Sequence, residues 1–533
     1  MVAALREKRD PAILARNAPF ARHFPASTSH RHGAPAARRS GSPFLVRNAL
    51  CAARSLDQSP STLHGGIRVN GARRVALIGA GACGIAAAKA LADAGVPFQC
   101  FEKGDRVGGN WVFKNKNGQS SAYRSLHINT SRERMQFADF PMPKDYPDYP
   151  RHDLIARYFE AYALAFDLHR HIRFETSVQL AEPRPEGGFR LTLSTGETEE
   201  FDALIVANGH HWDPAWPDPT IPGEFSGIEL HSHSYIDPDE PHALRGKRVL
   251  VVGMGNSAMD IACELGHPGA AEQVFLSARR GAWVLPKYAF GKPIDQNRLL
   301  PPFLPASVKR LISELWYRFA VGRPEDFGLP KPEHHLDQAH PTLSSDILTR
   351  LGSGDVIGKP ALVKREGSRV HLSDGTEAEV DAIVYATGYQ VSFPFFEPRF
   401  LAAKNNDLPL FLRIFPFDRQ DLFFIGLAQP IGAVMPLAEA QAKLVAELLS
   451  GSYELPSANE RKERTLRYRA KMFAHYVPSR RHTMQLDFAE YMSELAAEAE
   501  TGRRRARHRA ARTPNFAADV RETPPRRASE GRV

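Results

Sequence analysis

Residues 75–84 read VALIGAGACG, an apolar run that leads into a turn containing three glycines. The apolar run predicts a buried strand at 75–78, and the small residues after the turn predict a helix at 85–94. A second apolar run predicts another strand at 98–101, with an acidic residue directly after it. The order of strand, glycine turn, helix and strand is typical of a Rossmann-type unit that binds a dinucleotide.

Each residue of this turn has a physical role in such a site. Gly79 permits the tight turn, and Gly81 lets the backbone approach a pyrophosphate. Gly84 allows the helix to pack closely on the strand, and the helix N-terminus supplies partial positive charge. Glu102 lies 18 residues after Gly84, where a carboxylate accepts hydrogen bonds from a ribose diol. We therefore predict a dinucleotide site here; the alternative is a glycine turn that binds nothing.

The chain contains a second turn of this kind at 249–258, VLVVGMGNSA. It keeps Gly253 and Gly255 but has Ala258 in place of the third glycine. The next strand along the chain ends at Arg279 instead of an acidic residue. A carboxylate would repel a 2′-phosphate, whereas a guanidinium binds it through two parallel hydrogen bonds. The second turn is therefore predicted to bind NADP, unless the arginine is only a surface residue.

Two further strand–turn segments, 201–211 and 380–390, come after β-rich stretches and resemble each other. They predict an α/β fold with two nested Rossmann-like dinucleotide-binding domains, in which the second domain interrupts the first. The predicted boundaries are 72–208 and 380–450 for the first domain, 209–379 for the second and 451–500 for a C-terminal helical segment. Residues 1–71 are predicted to be a disordered basic extension and residues 501–533 a disordered arginine-rich tail.

The net charge of +9 comes from the two ends of the chain. Residues 1–70 carry 11 Lys and Arg against 3 Asp and Glu, and residues 501–533 carry 10 against 3, which leaves −6 on the residues between them. Such ends are typical of solvated extensions; the alternatives are an organelle-targeting arm or a nucleic-acid-binding tail. Because the C-terminal arginine run has no interleaved aromatic residues, we expect no nucleic-acid partner.

The rest of the composition is that of an ordinary globular protein. Four cysteines are scattered without a CxxC pair, which favours a reducing compartment. The sequence has no uninterrupted apolar run of about 18 residues, so no membrane span is expected. We therefore expect a soluble, cytoplasmic protein, with a homodimer as a possible assembly. The histidine spacing matches no zinc signature, so no catalytic metal is expected.

Motifs along residues 72–450 resemble, in order, those of the flavin-containing monooxygenases. The segment FSGIELHSHSY (225–235) resembles the FxGxxxHxxx fingerprint that this family shares with its Baeyer–Villiger relatives. It ends in Tyr235, whereas the ketone-oxidising relatives typically have Trp there. EKGDRVGGNW (102–111) resembles the flavin-binding GGxW segment, and YRSLHINTSRERMQFADFPMP (123–143) resembles the stretch with the active-site asparagine. The pattern favours a soluble bacterial-type member of the family.

The resemblance implies FAD at the first turn and NADPH at the second. It implies that Asn129 contacts the flavin and the nicotinamide; the alternative is an amide that only satisfies turn backbone. The residues implied near the flavin are Gly109, Trp111 and Gln429, beside the FAD-binding Gly79, Gly81, Gly84 and Glu102. The residues implied for NADP are Gly253, Gly255, Asn256, Ser257, Ala258 and Arg279, with Tyr235 lining the groove.

The implied reaction is oxygen transfer from O₂ to a small-molecule substrate. NADPH reduces FAD, O₂ adds to the reduced flavin, and the resulting hydroperoxide delivers one oxygen atom to a soft nitrogen or sulfur nucleophile, as in N,N-dimethylaniline-type monooxygenases. The alternatives are a Baeyer–Villiger monooxygenase acting on ketones, an NADPH oxidase or reductase, and a non-enzymatic protein. The apolar, loop-rich stretch 283–345 is expected to shape the substrate pocket, and His231 is expected to brace the linker between the domains.

Overall fold

A computed structural model describes residues 73–512, except 298, 299, 302, 478, 480 and 481. Its central element is a five-stranded parallel sheet around the first glycine turn. The strands of this first sheet are, in spatial order, Leu422–Phe424, Ala203–Val206, Val75–Ile78, Phe98–Phe101 and Ile172–Arg173. The strand with the glycine turn is buried on both faces, as its continuous apolar run predicts.

The second five-stranded parallel sheet repeats this arrangement around the second glycine turn. Its strands are, in spatial order, Ile228–His231, Ala382–Tyr385, Arg248–Val252, Gln273–Ser277 and Val356–Lys359. In both sheets the strand before a glycine turn lies between the next strand along the chain and a strand that returns from a three-stranded antiparallel sheet. The antiparallel sheets are formed by Val178–Pro183, Phe189–Leu193 and Thr198–Phe201, and by Leu362–Glu366, Arg369–Leu372 and Glu377–Glu379.

The predicted boundary at residue 380 is wrong. The strand Ala382–Tyr385 pairs with Arg248–Val252 in the second sheet. The domain built on the second sheet, called the second unit below, therefore continues to about residue 385, and the domain built on the first sheet is the first unit. The chain then returns to the first unit, where Val391 and Phe393 join the core of the first sheet. A buried strand carries no local signal for the sheet that it joins, because both sheets bury the same kind of apolar run.

Helices cover both sheets. Their bounds are Ala82–Asp93, Arg132–Met135, His152–Ala165, Asn256–Leu265, Ala306–Ala320, Ile347–Gly352, Val434–Leu449, Ala458–His475 and Phe488–Arg512. The helix after the first turn begins at Ala82 and not at the predicted residue 85, because Gly81 already takes the extended conformation of an N-cap. Alternate residues of the strand before this turn face two separate hydrophobic cores. Val75 and Leu77 lie in one core, and Ala76 and Ile78 lie in the other.

The arginine-rich tail is ordered as far as residue 512, contrary to the prediction of disorder from residue 501. The helix Phe488–Arg512 runs through the arginine cluster. Arg503 pairs with Glu447 of the neighbouring helix at 2.7 Å, and Arg505 pairs with the buried Glu498. These acidic partners are distant in sequence or lie a helical turn or two away, so the local charge run does not reveal them. Residues 1–72 and 513–533, which include the rest of both predicted extensions, lie outside the described residues.

Candidate cofactor and active site

The first glycine turn has no space for a side chain at its first and third glycines. Gly79 has φ +98°, and a Cβ there would lie 2.7 Å from the carbonyl oxygen of Ala207. A Cβ on Gly84 would lie 1.9 Å from the carbonyl oxygen of Gly79. Gly81 is the N-cap of the helix, which has no side-chain cap and no acidic residue in its first turn. The helix N-terminus is therefore free to face a phosphate group.

Glu102 comes directly after the second strand and turns its carboxylate to the glycine turn. The residue is buried, with 4% of its surface exposed. One carboxylate oxygen accepts a hydrogen bond from the Ala80 N–H at 2.7 Å, and the other accepts one from the Gly104 N–H at 2.7 Å. Each oxygen retains a further lone pair, so the carboxylate can still accept hydrogen bonds from a ribose. The predicted acid and the predicted turn thus meet in one site.

The GGxW segment closes over the same turn. A Cβ on Gly81 would lie 3.7 Å from the Cα of Gly109, and the Gly108 N–H donates to the carbonyl oxygen of Ala80 at 3.0 Å. Trp111 ends the short 3₁₀ turn Gly109–Trp111 and packs against the core of the first unit. The two loops leave only backbone between them, a cradle that side chains would fill.

Asn129 lies in a loop that meets the segment after Gln429. The Asn129 Oδ1 atom is buried and has no hydrogen-bond partner among the residues that the structure describes. The neighbouring Thr130 hydroxyl donates to the carbonyl oxygen of Gly432 at 3.4 Å, and Gln429 begins the strand Gln429–Ile431 just before it. A buried acceptor without a donor calls for a ligand that supplies one. The site therefore fits a bound group with N–H donors, such as a flavin or a nicotinamide amide.

The second glycine turn is built like the first, with one difference. Gly253 has φ +144°, and a Cβ there would lie 2.4 Å from the carbonyl oxygen of Ala386. Ala258, in place of the third glycine, is buried with its methyl group inside the core. Gly255 is the N-cap of the helix Asn256–Leu265, which again has no side-chain cap and no acidic residue in its first turn.

Near the second turn, the Asn256 side chain makes a structural hydrogen bond, whereas the Arg279 side chain is available to a ligand. The Asn256 Oδ1 atom accepts a hydrogen bond from the Leu343 N–H at 2.9 Å, so this amide also braces the turn, while Ser257 is half-buried in the first turn of the helix. Arg279 is exposed directly after the strand, and within the described residues it makes no hydrogen bond or ion pair. Its guanidinium is therefore available to a phosphate.

Tyr235 is the predicted site residue that does not fit its predicted place. Its side chain is fully buried, its hydroxyl donates to Glu264 Oε2 at 2.8 Å, and its ring packs against Tyr123. Because Glu264 lies near the far end of the helix Asn256–Leu265, Tyr235 supports that helix from below and does not line the NADP groove.

His231 braces the connections between the two units, as expected. It is 2% exposed, and its ring lies 5.6 Å from the rings of both Trp216 and Tyr389. Tyr389 belongs to the short strand that pairs with residues 213–214. The aromatic contacts therefore join the two segments in which the chain passes between the first and the second unit. Burial lowers the pKa of His231 to about 4, so the ring is neutral at physiological pH.

No sequence motif marks the residues that hold the 129–131 loop. The Ser131 N–H donates to Asp295 Oδ2 at 2.7 Å, and Gln296 Nε2 donates to the Ser131 hydroxyl at 3.1 Å. Both residues belong to the 283–345 stretch, but no spacing marks them, because the first contact joins positions 164 residues apart. Only the packing of the two units brings them together.

Two glycine turns at equivalent places in two parallel sheets, with one carboxylate and one arginine after their second strands, define a protein with two different dinucleotide sites. Residues 72–520 match the family described as flavin-binding monooxygenase-like. The chain belongs to this family. It is accordingly an FAD- and NADPH-dependent monooxygenase, and the glycine cradles and the unpartnered Asn129 oxygen fit these cofactors.

Relatives and solved structures agree with this assignment. The chain is 37% identical over 444 residues to flavin-containing monooxygenase 5 of Oryctolagus cuniculus, covering 80% of this chain and 82% of the relative. It is 35% identical over 452 residues to dimethylaniline monooxygenase (N-oxide-forming) 2 of Macaca mulatta, with the same coverage.

Two solved structures show the same fold at low identity. S-allyl-L-cysteine S-oxygenase from Allium sativum has a TM-score of 0.58 at 24% identity, covering 84% of this chain and 95% of that one. A steroid monooxygenase bound to NADP has a TM-score of 0.61 at 18% identity, covering 81% and 98%. In the described part of the chain, no helix is both long and apolar enough to pass through a bilayer.

Proposed function

We propose that this enzyme transfers one oxygen atom to soft nitrogen or sulfur nucleophiles, with Asn129 beside the reacting end of the cofactors. The buried Asn129 oxygen without a protein donor carries this proposal. A neutral amide donates and accepts hydrogen bonds without bringing a titrating charge to the reaction. The names of two similar proteins, an N-oxide-forming dimethylaniline monooxygenase and an S-allyl-L-cysteine S-oxygenase, support the substrate class.

The residues of the two turns have separate tasks in this proposal. Gly79, Gly81 and Gly84 let the first helix N-terminus approach the FAD pyrophosphate, and Glu102 binds the ribose. Gly109, Trp111 and Gln429 enclose the flavin end and keep water from it. FAD supplies the redox chemistry and the activation of O₂, while the protein orients it.

The second turn presents NADPH to the same place. Gly253 and Gly255 let the second helix N-terminus approach the pyrophosphate, and Ser257 and Ala258 form the first turn of that helix. Arg279 binds the 2′-phosphate and so selects NADPH over NADH. The segment 283–345 extends from this arginine to the Asn129 loop and shapes the entrance for the substrate.

The test uses the purified, FAD-loaded protein. It is reduced anaerobically with NADPH and then exposed to O₂ together with N,N-dimethylaniline, a dialkyl sulfide or cyclohexanone. We expect the amounts of N-oxide and sulfoxide to be proportional to the NADPH consumed. In Asn129→Ala we expect NADPH to be consumed without a proportional amount of product. Lactone formation from cyclohexanone without N- or S-oxidation would contradict the proposed substrate class. Stoichiometric hydrogen peroxide with every substrate would contradict oxygen transfer altogether.

We also propose a cytoplasmic location. The three described cysteines, Cys83, Cys100 and Cys263, are all free thiols, which a reducing compartment preserves. Fractionation of cells that express the full chain tests this, and recovery with the membrane fraction would contradict it. The homodimer stays a prediction, for which light scattering of the purified protein is the direct measurement.

A further inference from the structure

The segment 287–297, which we call the strap, crosses from the second unit to the Asn129 loop. It contains the antiparallel strands Tyr288–Ala289 and Lys292–Pro293 and then the 3₁₀ turn Ile294–Gln296. The Ile294 N–H donates to the carbonyl oxygen of Lys287 at 2.9 Å, which closes the strap on itself. The strap is thus a small ordered element and not a loose loop.

One end of the strap holds Ser131, two residues after Asn129. Asp295 Oδ2 accepts the Ser131 N–H at 2.7 Å, and Gln296 Nε2 donates to the Ser131 hydroxyl at 3.1 Å. Ser131 is fully buried and is the N-cap of the short helix Arg132–Met135. Its backbone N–H and its side chain are therefore both held from the other unit.

The other end of the strap touches both units. The Tyr149 hydroxyl, in the first unit, donates to the carbonyl oxygen of Lys287 at 2.6 Å, and the Lys287 ammonium lies 5.2 Å from the Tyr149 ring. The Lys287 N–H donates to the Ser345 hydroxyl, in the second unit, at 3.0 Å. The strap therefore links the second unit with the Asn129 loop.

Two buried acceptors of the strap and the Asn129 loop have no donor within the described part of the chain. They are Oδ1 of Asn129 and Oδ1 of Asp295. The second carboxylate oxygen of Asp295 is spent on Ser131, so the contact fixes the loop backbone and leaves the Asn129 amide oxygen for a ligand.

We propose that Asp295 is a positioning residue for Asn129: by accepting the Ser131 N–H it holds the 129–131 loop so that the Asn129 amide faces the cofactors. This inference rests on the role proposed for Asn129. The essential interaction is a hydrogen bond to a backbone N–H, so an amide at position 295 replaces the carboxylate and a methyl group does not. Gln296 adds a second hydrogen bond to the same residue by donating to the Ser131 hydroxyl.

The experiment compares the FAD-loaded full chain carrying Asp295→Ala, Asp295→Asn, Asn129→Ala and both alanine changes together. Tyr288→Phe is the matched control, because it removes another strap contact, the 3.0 Å hydrogen bond to Asp148, without touching Ser131. The measurements are FAD content, the fraction of NADPH electrons recovered as hydrogen peroxide with a sulfide substrate, and the visible circular dichroism of bound FAD during titration with NADP⁺.

We expect Asp295→Ala to retain FAD and to raise the hydrogen peroxide fraction relative to product about tenfold, the factor set by one buried hydrogen bond. Its dichroism with NADP⁺ should match that of Asn129→Ala, and the double variant should be no worse than Asn129→Ala alone. Asp295→Asn and Tyr288→Phe should remain within about twofold of the parent.

Normal coupling in Asp295→Ala, or additive effects in the double variant, would overturn the inference about Asp295 while leaving Asn129 in place. Normal coupling in Asn129→Ala would overturn the role of Asn129, and the inference about Asp295 would fall with it. Loss of FAD from Asp295→Ala but not from Asp295→Asn would assign Asp295 to folding of the first unit and would also overturn the inference.

Discussion

The two glycine turns each follow the central strand of a five-stranded parallel sheet, yet they differ at the third glycine. In the first turn a Cβ at position 84 would lie 1.9 Å from the carbonyl oxygen of Gly79, so only glycine fits. In the second turn Ala258 places a methyl group in the core, 3.5 Å from the Cβ that Gly253 would have. The helix after each turn therefore packs on its strand in a different way. The first requires a position without a side chain, and the second is packed around a methyl group.

The two units also differ in the residue that comes after the second strand of each sheet. Glu102 is buried and held by two backbone N–H groups, whereas Arg279 is exposed and makes no hydrogen bond or ion pair within the described residues. A preorganised carboxylate suits a cofactor that stays bound. An exposed guanidinium suits a cofactor that is exchanged in every turnover, because its ion pair and hydrogen bonds to a phosphate can form and break at the surface. This difference fits the cofactors proposed for the two sites, an FAD that stays bound at the first and an NADPH that is exchanged at the second.

The largest expected effect is at the third position of each turn. Gly84→Ala should lose FAD and destabilise the fold by about 3 kcal/mol, because the new methyl group meets backbone that cannot move aside. Ala258→Gly should cost about 1–2 kcal/mol, from one lost buried methyl group and a more flexible helix. Thermal unfolding and FAD content measure both. Gly352→Ala is the control, because Gly352 does not have a positive φ and its Cβ would lie 4.0 Å from a ring carbon of Phe327. FAD retained by Gly84→Ala would contradict the need for glycine in the first turn.

A smaller effect is expected at the junction between the two units. The pKa of His231 is about 4 in the folded protein and near 6.5 when unfolded, so the unfolded chain binds more protons between these values. Stability therefore falls as the pH decreases from 6.5 towards 4, by about 2 kcal/mol from His231 between pH 7 and pH 5.

The variant His231→Asn tests this contribution. Its side-chain oxygen can still accept the His233 N–H that His231 Nδ1 accepts at 3.1 Å, but it does not titrate. Denaturant unfolding at pH 7 and pH 5 should show a smaller loss than in the parent. Because neighbouring His233 titrates too, the difference between the two proteins is the measured quantity. An equal loss in both would contradict the assignment.

The next effect sharpens the contrast between the carboxylate and the arginine. Arg279→Ala should raise the KM for NADPH about tenfold, the value of one charge-assisted contact, and leave the KM for NADH unchanged. Steady-state kinetics with both cofactors measures it, with Arg280→Ala as the neighbouring control. An equal rise for NADH would place Arg279 outside the 2′-phosphate site.

The smallest effect is expected outside both turns. Arg503 forms an exposed ion pair with Glu447 on the helix Val434–Leu449, which packs on the helix of the first turn. Arg503→Ala should change the free energy of unfolding by about 0.5 kcal/mol and should not change FAD or NADPH binding. A large loss of FAD would show that this outer helix takes part in the first site.

Those parts of this protein that depend on local geometry are predictable from residue spacing. The strand limits 75–78 and 98–101, both glycine turns and the acid at Glu102 result from spacing, since a tight turn, a helix N-terminus and a ribose each require particular residues at fixed distances. The family motifs pointed to FAD, NADPH and Asn129 in the same way, because each motif is contiguous.

The tertiary structure alone decided which distant segments meet. The strand at 382–385 joins the second sheet, Tyr235 lies in the core beneath a helix, and the arginine run forms a helix on its acidic partners. The grip of Asp295 on Ser131 belongs to the same group. Such contacts join residues with ordinary local surroundings, and their free energy comes from packing and desolvation that exist only after the two units have folded together.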